Sequence, residues 1–452
     1  MKIISEASKN VTAILGKVKI SDNGYRLIKY CVAVQVDEGI LLFNTLTREL
    51  LLLTSTEYDN LQKSEELRDR WFTVPESLNE KELATTVRWV LSNTAKKPDK
   101  ITSYTIMTTT DCNARCFYCF EKGRARTPMT DEVAHKTAVY IKEHCGGECV
   151  KLAWFGGEPL FNAKAIDIIC EDLRRDGIEF YSEMTSNGYL FNDETVKKAN
   201  ALWNLKRVQI TLDGTEEIYN RSKSYIYTDG KSPYRVVLDN IESLLNSEIR
   251  VVIRLNLDLY NADDLMRLVD ELSERFNGKK GLKIYAYHLF DTERSMAETH
   301  TDEEWEPRYE ALYRLESKID SYGLSNVGGI RKKLKINHCM ADSGNSRIIA
   351  PTGDVGLCEH YTESEFIGHI DRDSIDETAL ASWIEKSPEI PECNDCALYP
   401  ECIKLKKCTS NSACFKHSRQ SSLKYLERAI LHEYYRWKHN VRQDEGEEDI
   451  QC

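Results

Sequence analysis

The stretch Tyr104-Thr105-Ile106-Met107-Thr108-Thr109-Thr110-Asp111-Cys112-Asn113-Ala114-Arg115-Cys116-Phe117-Tyr118-Cys119-Phe120-Glu121-Lys122-Gly123 joins a strand-like run to a loop with three cysteines spaced C-x3-C-x2-C. In parallel β/α folds, chemistry sits at the carboxyl ends of strands, where this loop begins. A cubane of iron and sulfur takes four ligands. Three thiolates leave one iron with an open position for a small molecule. The alternatives are a zinc site or three buried thiols. Structural zinc wants four closed ligands, and no fourth partner lies nearby in the sequence.

Outward from this loop, strand-like runs at 104–109, 150–155, 179–185, 207–212, 250–258 and 282–287 alternate with helical patterns. One helix is expected over 131–144, with Thr130 as its cap, acidic residues in its first turn and Gly146 just past its end. Six β-α repeats imply a parallel sheet with helices outside it. The expected class is α/β, a partial (β/α)6 barrel, two units short of the eight-fold form. Residues 1–95 read as a separate winged-helix-like module: short strands at 25–29, 31–36 and 39–44, broken at Asn23-Gly24, with helices at 55–62 and 79–92. Lys96-Lys97-Pro98-Asp99-Lys100 reads as a linker. The barrel is expected over 101–330. From 335 to 418 periodicity dissolves and cysteines recur every few residues, so bound metal would have to hold that segment together. Residues 419–452 read as a helix and an acidic tail.

Composition narrows the classes. The chain has 452 residues, 41% hydrophobic and 30% charged, which excludes a mainly disordered or collagen-like protein. No apolar run is long enough to span a membrane, and the N-terminus lacks the pattern of a signal peptide, so a cytoplasmic protein is expected. A net charge of −12 argues against nucleic acid as partner. Fifteen cysteines without a secretory signal point to metal or catalysis rather than disulfides.

With Tyr118 in an aromatic slot before its third cysteine, and Phe120 after it, the loop resembles the signature of the radical SAM enzymes. The likeness extends to Trp154-Phe155-Gly156-Gly157-Glu158-Pro159, similar to the family's GGEP motif for the amino group of S-adenosylmethionine (SAM). Glycines admit a close backbone, and Glu158 offers an acceptor to an ammonium. A second Gly-Gly-Glu at 146–148 has no strand before it and is set aside. Ser186 and Asn187 end the third strand, where relatives contact ribose. Thr211 and Asp213 end the fourth. Arg254 and Asn256 resemble residues that grip the SAM carboxylate and ribose. The resemblance implies a cluster at Cys112, Cys116 and Cys119 that donates an electron to SAM. Cleavage would yield methionine and a 5′-deoxyadenosyl radical that abstracts a substrate hydrogen.

Seven further cysteines follow: Cys339 and Cys358 around Gly353, then Cys393, Cys396, Cys402, Cys408 and Cys414. They resemble the SPASM domain of peptide-modifying radical SAM enzymes, which carries two more clusters. Five residues rather than the usual three precede Cys408. By family pairing, Cys393, Cys396, Cys402 and Cys414 would hold one cluster, and Cys339, Cys358 and Cys408 the other. A pair of zinc knuckles is the alternative, with His360, His369 and His417 as further ligands. Three [4Fe–4S] clusters served in this way need eleven cysteines, and the two motifs hold ten. One auxiliary cluster is therefore expected to have an open iron, suited to a peptide thiolate, unless a group such as His360 or a water fills it. Glu359 stands where sulfatase-maturing relatives have an acidic base, although a solvated carboxylate is the plainer reading. Cys31 and Cys170 read as buried hydrophobes, and Cys145 and Cys149 as structural.

Residues 30–61 resemble the recognition element of maturases of ribosomally made peptides, in which a leader adds a strand to an exposed edge. The expectation is a radical SAM peptide maturase of thioether-forming, ranthipeptide or sactipeptide type. Its partners would be a leader-bearing precursor peptide and a flavodoxin- or ferredoxin-type electron donor. Carbon–carbon or carbon–oxygen cross-linking, epimerisation and sulfatase maturation are the alternatives among enzymes. An Fe–S redox protein that binds a peptide is the alternative from another class.

Overall fold

The computed structural model describes residues 1–18, 24–95, 98–226, 230–289, 302–360, 364–372, 374–408, 414 and 416–439. Asn23, Lys96, Lys97, the side chain of His417 and Cys452 lie outside the described residues. The chain divides into two units. The first takes in the described parts of residues 1–97, 327–338 and 386–448, and the second those of 98–326 and 339–385.

In the first unit, β1 (Lys2–Ser5), β3 (Cys31–Val36), β4 (Gly39–Asn44) and β5 (Glu49–Leu53) form an antiparallel sheet in the order β1-β5-β4-β3. β2 (Tyr25–Leu27) pairs instead with β6 (Thr73–Pro75). The expected ribbon of 25–29, 31–36 and 39–44 thus gives way to a four-stranded sheet without its first member. The leucine run Leu50–Leu53 explains the difference. It shows no alternation because both faces are covered: Leu50 and Leu52 pack with Ile430 and Tyr434, and Leu51 and Leu53 with Leu61, Leu67 and Phe72. Such a strand is not legible from a period of two. Around the sheet lie α1 (Lys9–Leu15), α2 (Ser55–Asp59), α3 (Glu65–Asp69) and α4 (Glu80–Thr94). Asn79 caps α4, its side chain accepting from the Glu82 N–H.

The second unit holds the parallel sheet. β7 (Ser103–Thr109), β8 (Val150–Gly156), β9 (Phe180–Ser186), β10 (Leu205–Leu212), β11 (Arg250–Leu257) and β12 (Leu282–His288) lie side by side in chain order, all parallel. Between them run α5 (Asp131–His144), α6 (Ala163–Arg175), α7 (Asp193–Ala201), α8 (Glu216–Lys223) with α9 (Pro233–Asn246), and α10 (Ala262–Arg275); α11 (Asp302–Ser321) comes after β12. Thr130 caps α5 as expected, accepting from the Val133 N–H. Among the described residues the sheet does not close. β13 (Ser346–Ile349) adds parallel to β7, followed by β14 (Asp354–Gly356) and β15 (Gly368–His369), both antiparallel. A partial (β/α)6 barrel is therefore the core. Residues 335–418 are more regular than expected: they contribute these three strands and α12 (Glu377–Trp383), each too short to show a period. The last helix, α13 (Lys416–Lys438), belongs to the first unit.

Burial alternates along β8, β9, β12 and most of β10, while β7 and β11 are buried over most of both faces. Val208, Ile210 and Leu212 of β10 and Val251, Ile253 and Leu255 of β11 are buried, while Gln209, Thr211 and Arg254 are half-buried. The alternation assigns the apolar set to the helix side and the polar set to the concave side. Among the described residues, no helix is long and apolar enough to cross a membrane.

Candidate active site

The loop after β7 is held by its own backbone. Thr109 Oγ1 accepts from the Asp111 N–H at 3.0 Å, Asp111 Oδ1 from the Cys112 N–H at 2.8 Å, and Cys112 Sγ from the Ala114 N–H at 3.3 Å. The Cys119 N–H bonds the Cys116 carbonyl at 3.2 Å. All three thiols are half-buried. Burial pushes the Cys112 thiol up to about 12, with Glu158 and the other two cysteines adding to the rise. Cys116 and Cys119 are raised for the same first reason.

The Gly156–Pro159 segment is sewn to this loop. The Gly157 and Glu158 N–H groups donate to the carbonyls of Thr109 and Asp111, each at 3.0 Å. A Cβ on Gly157 would stand 2.3 Å from the Asp111 carbonyl oxygen, and one on Gly156, at φ +122°, 2.2 Å from that of Thr109. Only glycine permits this approach. Glu158 is fully buried. Its carboxylate accepts from the Asn187 N–H at 2.7 Å, Ser186 Oγ at 2.9 Å and the Leu160 N–H at 3.2 Å. Burial still lifts it from an ordinary 4.5 to about 7. Asn187 Nδ2 bonds Asn113 Oδ1 at 2.6 Å and lies 3.7 Å from Cys112 Sγ.

A second network starts at Tyr118. Its hydroxyl donates to Asp213 Oδ2 at 2.7 Å and accepts from Lys223 Nζ at 2.8 Å. Lys223 also pairs with Asp213 at 3.2 Å, and Asn256 Nδ2 donates to Asp213 Oδ1 at 3.0 Å. Asn261 ties the turn by bonding the carbonyls of Asp213 and Asn256, each at 2.9 Å. Thr211 and Arg254 stand opposite each other in the β10–β11 register, with the guanidinium 5.0 Å from the Tyr287 ring centre. Phe120 packs against Phe155 and against His360.

The structure thus gathers Cys112, Cys116, Cys119, Tyr118, Glu158, Ser186, Asn187, Asp213 and Asn256 into two linked networks. Thr211 and Arg254 sit on the neighbouring strands outside those hydrogen bonds. Lys223, Asn113 and Asn261 join the site without a signal in the sequence. A lysine at a helix end reads as a surface residue, and nothing local marks Lys223 as buried.

Of the other cysteines, Cys339 and Cys358 lie in the second unit, and Cys393, Cys396, Cys402, Cys408 and Cys414 in the first. Burial raises the Cys396 and Cys402 thiols, and the neighbouring Cys393 and Cys414 add to the rise. Their loop is anchored within its unit: Tyr399 stacks on Tyr30 at 6.3 Å, Thr45 Oγ1 donates to the Ala397 carbonyl at 2.5 Å, and Arg88 bonds the Cys402 carbonyl at 2.9 Å. Glu359 is half-buried and acts electrostatically on His360.

Residues 106–272 match the Radical SAM superfamily. The chain carries a radical SAM domain. GTP 3′,8-cyclase of Rhodopirellula baltica is 34% identical over 120 residues, covering 25% of this chain and 32% of that protein. The cyclase of Clostridium perfringens (strain SM101 / Type A) is 30% identical over 168 residues, 36% and 50% of the two chains. The chain thus spans a third to a half of these curated relatives. Among solved structures, native anSMEcpe with bound AdoMet and the Cp18Cys peptide shares the fold at a TM-score of 0.55, 17% identity, covering 75% of this chain and 99% of that one. Native anSMEcpe with bound AdoMet gives a TM-score of 0.56 at 16% identity, covering 75% of this chain and 100% of that one.

The radical SAM fold implies a [4Fe–4S] cluster and SAM, and the site fits both. Three mutually interacting thiols, costly to ionise alone, suit a group that replaces their protons with iron. Two buried polar atoms of the networks, Asn113 Nδ2 and Asn256 Oδ1, have no hydrogen-bond partner among the described residues, as expected of a place for a polar ligand. Among the described residues, no three His, Cys, Asp or Glu side chains converge tightly enough for a metal ion.

Proposed function

We propose that the protein is a radical SAM maturase of a ribosomally made peptide, joining a cysteine sulfur of that peptide to a carbon through a thioether. The observation that carries this reading is the group Cys393, Cys396, Cys402 and Cys414 outside the radical SAM domain, with Cys393 and Cys396 packed against the core that α1 and α4 share in the first unit. An electron carrier with one cluster needs neither. When bound, the first cluster and SAM supply the electron and the hydrogen-abstracting radical.

In this reading, Cys112, Cys116 and Cys119 hold the first cluster. Glu158, already ringed by donors from Ser186 and Asn187, accepts the SAM ammonium. Asn256 and Arg254 take the ribose and carboxylate, Thr211 and Asp213 shape the end of β10, and Tyr118 and Phe120 pack the loop. Cys393, Cys396, Cys402 and Cys414 hold one auxiliary cluster, and Cys339, Cys358 and Cys408 contribute to the other. The motif cysteines fall one short of three full sets, and a substrate thiolate is the soft donor that the open place would take. Glu359 is the candidate base. The fold shared with anSMEcpe, solved with the Cp18Cys and Kp18Cys peptides, supports a peptide substrate. A low-potential donor of flavodoxin or ferredoxin type would supply the electron.

A nucleotide substrate is the second reading, favoured by identity to GTP 3′,8-cyclases over 25% of the chain. One experiment separates the two. The reconstituted enzyme is incubated with SAM, reductant, GTP and a cysteine-bearing precursor peptide encoded beside the gene. The thioether reading expects the peptide to lose two hydrogens per link and its cysteine to resist alkylation, with a Cys→Ser peptide unchanged. Consumption of GTP with untouched peptide overturns it. Two hydrogens lost from the Cys→Ser peptide would leave a maturase that makes a different link.

A further inference from the structure

Lys223 is the buried charge that the site as described leaves without a task. It ends α8, and its side chain is 4% exposed, beside an Asp213 with no exposure at all. Placing an ion pair there is costly unless geometry and hydrogen bonds compensate. Both do. Nζ reaches Asp213 at 3.2 Å and the Tyr118 hydroxyl at 2.8 Å, and stands 5.5 Å from the centre of the Tyr118 ring. The backbone of Lys223 is also stitched to the cysteine loop. Its carbonyl accepts from the Arg115 N–H at 2.9 Å and faces Cys116 Sγ at 4.0 Å. Ser224 then turns the chain away in a left-handed conformation, φ +45°. The backbone of Lys223 is therefore tied to the loop at Arg115 and Cys116, and its ammonium to Tyr118, the residue before Cys119.

We propose that the buried ammonium of Lys223 tunes the reduction potential of the cluster held by Cys112, Cys116 and Cys119, making its reduced form easier to reach. The proposal rests on those three cysteines holding a cluster. One-electron reduction adds a negative charge to the centre, and a fixed cation in a low-dielectric surrounding stabilises that charge. Asp213 opposes it, but its carboxylate also accepts from the Tyr118 hydroxyl at 2.7 Å and from Asn256 Nδ2 at 3.0 Å, donors that offset part of its charge. The electron comes from an external low-potential one-electron donor, and no proton or bond need move in the lysine.

The test is an EPR-monitored redox titration of the full-length, reconstituted enzyme without SAM. The signal that vanishes in a Cys112→Ser/Cys116→Ser/Cys119→Ser variant identifies the first cluster. In Lys223→Met, at the wild-type midpoint, the ratio of reduced to oxidised cluster should fall about tenfold, equivalent to about 59 mV for one electron. Lys223→Met/Asp213→Asn removes both buried charges and covers the case in which a lone Asp213 prevents loading. It should shift the same way by less. Tyr118→Phe deletes the hydrogen bond but keeps the cation, and should not shift comparably. A wild-type potential in the double variant, or an equal shift in Tyr118→Phe, overturns the proposal. If the wild type lacks the assigned signal, the reading of the three cysteines as cluster ligands fails instead.

Discussion

The backbone N–H of Asn187 donates to the carboxylate of Glu158 at 2.7 Å. This bond ties the end of β9 to the turn after β8, so the residue that would receive the SAM ammonium is placed by the residue that reaches toward Cys112. Three donors surround a carboxylate that burial nevertheless lifts to about 7. Between its ordinary 4.5 and 7 the folded chain binds more protons than the unfolded one, so this group costs stability as pH rises through that window. An arriving ammonium restores the charged form. SAM binding near pH 7 should therefore release a fraction of a proton, seen by calorimetry in buffers of different ionisation enthalpy. Glu158→Gln should abolish the release and weaken SAM about 10–100-fold, the worth of a hydrogen bond to a charged group. Unchanged affinity would remove Glu158 from the SAM site.

The two Gly-Gly-Glu segments should respond differently to alanine. At Gly157 the added carbon meets the Asp111 carbonyl oxygen at 2.3 Å, and Asp111 directly precedes Cys112. Backbone cannot yield as a flexible side chain does, so Gly157→Ala should cost about 1–3 kcal/mol and reduce iron loading. Gly147, at φ +78°, meets nothing within 4 Å. Gly147→Ala should cost only its left-handed strain, about 1 kcal/mol, and leave iron unchanged. Thermal melts and iron assays on the two variants give the comparison.

That contrast shows what was legible. The strand before Gly156 distinguishes the two segments from sequence alone, because chemistry in this fold class collects at strand ends. The six barrel strands were legible for the same reason: each alternates with a helix long enough to show its period. Strand β5 was not, because a run of leucines buried on both faces has no alternation to read. β13 to β15 were not, because strands of two to four residues carry too little pattern. Lys223 was hidden by chemistry rather than length. A lysine in the last turn of a helix is what the helix dipole favours on a surface, and only the tertiary pairing with Asp213 and Tyr118 reveals it.

If Cys393, Cys396, Cys402 and Cys414 share a cluster, metal binding contributes to the folding of the first unit. Cys393 and Cys396 pack against the cluster of Val11, Tyr30, Leu83, Val87 and Tyr399. Cys396→Ser should therefore lower both iron per chain, by about one cluster, and the melting temperature. The signal assigned to Cys112, Cys116 and Cys119 should persist. Iron content equal to wild type would exclude Cys396 as a ligand.

The leader peptide offers the last test. β3 is an edge of the first unit's sheet, with β4 as its one neighbouring strand among the described residues. Such an edge presents a row of backbone groups to an incoming strand. Deleting residues 1–95 would be a poor probe, because Tyr30, Leu83 and Val87 share a core with Leu334 and Tyr399, which the deletion would expose. Hydrogen exchange on the intact chain avoids this. Leader-bearing peptide should slow exchange of alternate amides over Cys31–Val36, and a leaderless core peptide should not. Protection over Lys2–Ser5 instead would move the site to the opposite edge of the sheet. Protection at neither edge, with binding intact, would exclude strand addition to this sheet.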